Sequence, residues 1–111
     1  MSKEASTATR VDVAQREELT EVFRALADPN RLAIFELVCE RGRQGVQEDA
    51  GNTVSKLAAE FDLTLSTVSH HLRELKNAGL IRCEKVGQSV YCVPDSERVE
   101  EIERFLEALR K

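Results

Sequence analysis

The stretch TVSKLAAEFDLTLSTVSHHLRELKNAGLIRCEKVGQSVYCV, Thr53–Val93, decides the reading of this chain. Thr53 reads as a helix N-cap, because its hydroxyl can accept from a free amide of the first turn. Val54, Leu57, Ala58 and Phe61 then recur at helical spacing and predict a short amphipathic helix. Asp62-Leu63 makes a tight turn and Thr64 is a second N-cap. Beyond it Val68, His71, Leu72 and Leu75 share one face of a helix that Gly79 ends at the C′ position. Leu80–Lys85 and Val90–Val93 read as two strands around Val86-Gly87-Gln88-Ser89, a hairpin signal. Two short helices, a tight turn and a polar-tipped hairpin are the layout of a winged helix-turn-helix. The major groove of DNA admits one helix, and the side chains of its first turns reach the base edges.

Helical spacing selects the side chains that can reach. With Val68, His71, Leu72 and Leu75 turned to the core, Ser66, Thr67, Ser69, His70, Arg73 and Asn77 lie opposite. Ser66, Thr67, Ser69 and His70 are short donors and acceptors at the leading end, suited to base edges and nearby phosphates. Arg73 and Lys76 lie further along, where contacts to phosphate position the protein without specifying sequence. In the wing, Arg82 and Lys85 supply charge, and the tip through Gln88 and Ser89 can reach the adjacent backbone or minor groove. The competing reading is a helical domain with a solvated polar face.

Outward from this unit the chain stays helical. From Asp12 to Ala27, Leu19, Val22, Phe23 and Leu26 make one apolar stripe. Asp28-Pro29 stops that helix and starts the next, which runs to about Glu40 with Leu32, Ile34, Phe35, Leu37 and Val38 apolar. An apolar circumference predicts a central, buried helix. GRQGVQEDAGN, residues 42–52, is a polar loop with three glycines, long for a helix–helix connection. Pro94-Asp95-Ser96 opens a last helix striped by Val99, Ile102, Phe105, Leu106 and Leu109. The expected fold is mainly α with a small β-hairpin: five helices plus a wing over residues 12–111, behind a flexible tail at 1–11.

Composition bounds the function. The chain has 111 residues, 41% of them hydrophobic, which suits one compact domain. No apolar run approaches the ~20 residues of a membrane helix, and MSKEASTATR has no apolar centre of the secretory kind. Three widely spaced cysteines then suit the reducing cytosol, so a cytoplasmic protein is expected. The net charge of −4 is unevenly spread: residues 1–53 carry −3, residues 54–92 carry +1 and residues 93–111 carry −2. The helix-turn-helix and wing are the only segment of the three that is not acidic. No paired acid and base, no nucleophile with a partner and no phosphate-cradling glycine loop is present, so no enzyme and no cofactor is expected.

FRALADPNRLAIFELV, VSKLAAEFDLTLSTVSHHLRELKNAGLI and KVGQSVYCV together resemble the ArsR/SmtB family of bacterial and archaeal transcriptional repressors, over roughly Leu19 to Leu109. STVSHHLRELKNAGLI is the most specific part. The resemblance implies a homodimer built from the first and last helices. It also implies repression by occupying a double-stranded DNA operator, relieved when an inducer binds. The apolar stripes on those two helices support a dimer independently, since the central helices of a small domain cannot cover both. A two-fold pair places two recognition helices about one DNA turn apart, ~34–36 Å, on an imperfect palindrome.

The family's sensing positions are not filled here. Where one metal-sensing type carries two cysteines, this chain has Thr53 and Ser55, followed by Lys56, which do not hold a soft ion. The last helix, DSERVEEIERFLEAL, has no histidine for the second type and no cysteine to join Cys39 for the persulfide type. No metal site is expected.

Cys83 and Cys92 fall opposite each other if the wing turns between Gly87 and Gln88. Two readings stay open: small apolar side chains beneath the wing, or a thiol switch whose oxidation distorts the wing. Cross-strand Cβ atoms lie ~4.5–5.5 Å apart, somewhat beyond the ~3.5–4.5 Å a disulfide prefers. Cys39 reads as core, and His71 as a buried, hydrogen-bonded histidine. The alternative functions are a winged-helix module that binds protein without DNA, and a redox-responsive repressor using Cys83 and Cys92.

Overall fold

The computed structural model describes residues 12–42 and 53–110. The expected tail at 1–11 and residues 43–52 of the glycine-containing loop lie outside them. The described elements are α1 (Val13–Leu26), α2 (Pro29–Gly42), α3 (Val54–Phe61), α4 (Leu65–Asn77), β1 (Ile81–Val86), β2 (Ser89–Pro94) and α5 (Ser96–Arg110). Mainly helical, with one two-stranded antiparallel hairpin, this is the expected order.

Local chemistry sets the boundaries. Asp12 caps α1 by accepting from the Gln15 amide, and Asp28 accepts from the Arg31 amide at 2.9 Å at the start of α2. Arg31 also reaches back to the Ala25 carbonyl at 2.6 Å, which ties the end of α1 to the start of α2. Thr53 and Thr64 cap α3 and α4, each at 3.1 Å from an amide three residues on. Losing such a cap typically costs ~1 kcal/mol. Asp62 makes the turn between α3 and α4 in the left-handed region (φ 54°), which short polar side chains tolerate.

The end of α4 is a Schellman turn. Gly79 (φ 77°) donates to the Lys76 carbonyl at 2.9 Å, and Leu80 to the Leu75 carbonyl at 3.0 Å. Leu80 is thereby spent on the helix end, so β1 begins at Ile81, one residue later than expected. The hairpin turns at Gly87 (φ 64°) and Gln88. Glycine at the first of two central positions is the type II′ arrangement, whose twist matches that of the flanking strands. The register pairs Ile81 with Pro94, Cys83 with Cys92 and Val86 with Ser89. Thr53 adds a bridge to Tyr91, which sews the base of the wing to the start of α3.

Val22, Ile34, Val38, Leu57, Val68, Leu72, Leu75, Leu80, Ile81 and Cys92 form one core cluster. Truncating a leucine of this kind to alanine costs ~2–5 kcal/mol. α2 is less enclosed than its composition suggests. Ile34 and Val38 are buried and Phe35 and Leu37 partly so, but Leu32 is exposed. Phe23 on α1 is also exposed, and Ala25 takes a buried place the expected stripe did not include. No described helix is long and apolar enough to cross a membrane.

Candidate nucleic-acid interface

α4 is divided lengthwise. Val68, His71, Leu72 and Leu75 are all buried on one side. Ser66, His70, Arg73, Lys76 and Asn77 are exposed, while Thr67 and Ser69 are half-buried. The spacing that buries four residues therefore presents the polar set outward. Thr67 has a structural tie as well: the Thr64 hydroxyl accepts its amide and donates to its hydroxyl at 2.9 Å. One lone pair of its oxygen is thus taken by the cap, and its own O–H proton is still there to donate.

The hairpin β1–β2, which follows α4 in the chain, carries the remaining candidates. Arg82, Lys85 and Gln88 are exposed and Ser89 is half-buried. Elsewhere in the fold, Arg24, Arg41, Arg98 and Arg110 each pair with a glutamate. Among the described residues, Arg73, Lys76, Arg82 and Lys85 have no carboxylate partner. Cations without intramolecular partners beside a row of hydroxyls are suited to bind a polyanion, since no ion pair must first be broken.

Behind this surface sits His71. Burial lowers its pKa, the Asp28 carboxylate works the other way, and the Arg31 guanidinium and His70 lower it further. The expectation of a hydrogen-bonded histidine is corrected here: among the described residues, Nδ1 of His71 is buried without a partner. Asp28, whose charge acts on His71, sits at the corner between α1 and α2 and accepts the Arg31 amide. His70, the neighbour of His71, points to solvent, with ring centroids 5.8 Å apart.

Two features were not foreseen. Leu65, at the first position of α4, is exposed although its helical phase nearly matches that of buried Leu72. It lies beyond the end of the core, and sequence phase alone carries no sign of that. Arg98 on α5 donates to Glu101 at 2.9 Å and to Glu18 of α1 at 3.3 Å. Its guanidinium also lies over Gly79 at the end of α4, within 3.1 Å of where a side chain there would begin. Only the preference of the Schellman turn for glycine pointed to Gly79; Arg98, nineteen residues on, had no local signal.

A core-anchored helix with an outward polar face, a short capped helix before it and a hairpin beside it define a winged helix-turn-helix. Comparison with known proteins agrees. A helix-turn-helix domain family matches residues 26–84. An HTH-type transcriptional regulator of Methanocaldococcus jannaschii, MJ1325, is 35% identical over 94 residues, spanning 84% of this chain and 96% of that protein. The arsenical resistance operon repressor of Bacillus subtilis is 38% identical over 76 residues, 68% of this chain and 65% of that protein. Among solved structures, the homodimeric winged helix-turn-helix domain of Mb0332 from Mycobacterium bovis superposes with a TM-score of 0.65 at 26% identity. That match covers 87% of this chain and 82% of that one. The chain belongs to the ArsR/SmtB family of winged helix-turn-helix transcriptional regulators.

Proposed function

We propose that this chain is a cytosolic, homodimeric repressor that binds an imperfect palindrome in DNA. The observation that carries this reading is the division of α4: four core residues on one side, an exposed polar row on the other. In this reading Ser66, Ser69 and His70 meet base edges, with Thr67 contributing its remaining proton. Arg73 and Lys76 meet phosphates, and Arg82, Lys85, Gln88 and Ser89 carry the wing onto the neighbouring backbone or minor groove.

The dimer is assigned to α1 and α5. No residue of α5 is fully buried within the chain, although Ile102 packs against the core, and Leu106 and Leu109 are 51% and 67% exposed. Phe23 and Phe105 join the two helices with ring centroids 6.0 Å apart, and Phe23 keeps 40% exposure. An apolar face of this kind, shared by two helices, suits burial against a second copy. The homodimeric state of the Mycobacterium bovis relative supports a dimer. Two copies also double the phosphate contacts, which matters for a chain of net charge −4.

A gel-shift titration against DNA from the chain's own promoter tests this. Binding should weaken steeply as salt rises, because each phosphate contact releases condensed counterions. Absence of binding to that DNA even at low salt would overturn the proposal in favour of a protein-binding module.

A further inference from the structure

The wing holds a pair of thiols that DNA contact does not use. Cys83 on β1 and Cys92 on β2 are register partners, and their Sγ atoms lie 3.6 Å apart. The hydrogen-bond phase of the hairpin places them at a particular kind of site. The Asp95 amide donates to the Leu80 carbonyl at 2.9 Å, and bonded pairs alternate along an antiparallel ladder. Arg82/Val93 and Glu84/Tyr91 are therefore bonded pairs, and Cys83/Cys92 falls between them. Pro94, with no N–H to give, sits in the same phase opposite Ile81. At such non-bonded sites the Cα atoms approach to ~4.5 Å, inside the ~4.4–6.8 Å that a disulfide spans. The backbone is already placed for a bond.

The two thiols differ chemically. Cys83 is half-buried and held at a pKa of about 7: the Cys92 thiol donates to its thiolate, burial opposes this, and the Lys76 ammonium adds to the lowering. Cys92 is buried, and that same hydrogen bond together with burial pushes its pKa far up. Cys83 is thus the accessible nucleophile near neutral pH, and Cys92 the protonated thiol waiting beside it.

We propose that Cys83 and Cys92 are a redox modification site, a dithiol that peroxide oxidises to a disulfide, and that closing the bond lowers affinity for DNA. The second half rests on the DNA-binding reading above. The Cys83 thiolate attacks one peroxide oxygen; the O–O bond breaks, a sulfenic acid forms, and the departing hydroxide takes up the proton Cys83 had released, leaving as water. The Cys92 sulfur then attacks the sulfenic sulfur. The S–O bond breaks, the S–S bond forms, and the second water carries away the Cys92 proton. Two thiols lose two electrons and one hydrogen peroxide becomes two waters.

The effect on DNA follows from leverage. Bonding draws the sulfurs from 3.6 Å to the ~2.05 Å of a disulfide and tightens the base of the hairpin. The tip at Gly87-Gln88 lies four residues further out, ~13 Å along the strand, so a small change of twist at the base displaces Lys85 and Gln88.

The test uses the full chain carrying Cys39→Ser, so that only this pair can react, treated with hydrogen peroxide. The mass should fall by two hydrogens and both cysteines should resist alkylation. Affinity for the promoter fragment at fixed salt should fall about tenfold, equivalent to ~1.4 kcal/mol, and return with dithiothreitol. A further Cys83→Ser change should leave reduced-state binding intact and abolish the response; Cys83→Ala replaces it if circular dichroism shows the serine variant unfolded. Thiols that alkylate as readily after peroxide as before would overturn the site. A disulfide that forms with affinity unchanged or raised would overturn its effect on DNA. Failure of the reduced protein to bind would sink the DNA-binding reading and the second half with it, while mass and alkylation would still decide the first.

Discussion

Gly42, the last residue of α2, lies directly against the ring of Pro94 at the end of β2, so close that a methyl group added at Gly42 would overlap Pro94 Cδ and Cγ. Here the second helix clamps the base of the wing. Gly42→Ala should destabilise the fold by ~1–3 kcal/mol, as other overpacked sites do, outweighing the small helix-propensity gain. Pro94→Ala shortens the opposing ring. The double variant should recover part of the loss, which urea denaturation of all four proteins would measure as a positive coupling.

Ser69 is half-buried on the polar side of α4. If it reads a base edge, Ser69→Ala should cost ~1–3 kcal/mol on the preferred operator and little on unrelated DNA. Competition gel shifts with both DNAs would show it. Equal loss on the two would place Ser69 on the phosphate backbone.

Arg73 is exposed two turns along the same helix. Arg73→Ala should weaken binding to every sequence by a similar factor. It should also lower the slope of log affinity against log salt by about one per site removed. Fluorescence anisotropy over a range of potassium chloride measures both.

Leu106 is half exposed on α5, so replacing it disturbs little of the monomer's own core. Leu106→Asp would place a charge in the proposed dimer interface. The expected result is a monomer by sedimentation equilibrium, with helical content unchanged and operator affinity much reduced. A variant that stays dimeric would move the interface away from this face.

His71 should make stability depend on pH. Its folded pKa lies below the ordinary value, chiefly through burial. Above the unfolded value of ~6.5 both states hold a neutral imidazole, and the full stability is present. As pH falls through that value the unfolded chain gains the proton first, so stability drops until the folded pKa is passed. Melting temperatures between pH 8 and 5 should fall further for the wild type than for His71→Leu, which fills the site with a group that does not titrate.

Much of the fold was legible because its signals are local. Thr53, Thr64 and Gly79 mark helix ends through bonds to amides or carbonyls three residues away. Four apolar-facing positions of α4 sort into one side by geometry alone. Gly87 marks the turn, and a two-residue turn leaves one register, so Cys83 and Cys92 could be paired by counting. The polar row of α4 followed as the complement of its buried row. Less legible were the features that need two distant segments at once. His71 was expected to be buried, but whether its Nδ1 meets a partner depends on how the corner at Asp28 is spent. Leu65 has core phase, but the core stops short of it.

From its residues alone, this chain determined which segments are helical, where they stop, how the hairpin pairs and which side of α4 is polar, because hydrogen bonds within a turn and the repeat of apolar side chains act over a few residues. Folding in three dimensions decided the rest. It brought Arg98 to Glu18 across 80 positions and Gly42 onto Pro94, and joined Thr53 to Tyr91. It also set the two wing sulfurs 3.6 Å apart, with Lys76 of the neighbouring helix close enough to favour one thiolate. Such distances depend on how whole elements pack, and the first three contacts join segments that no short window of sequence contains together.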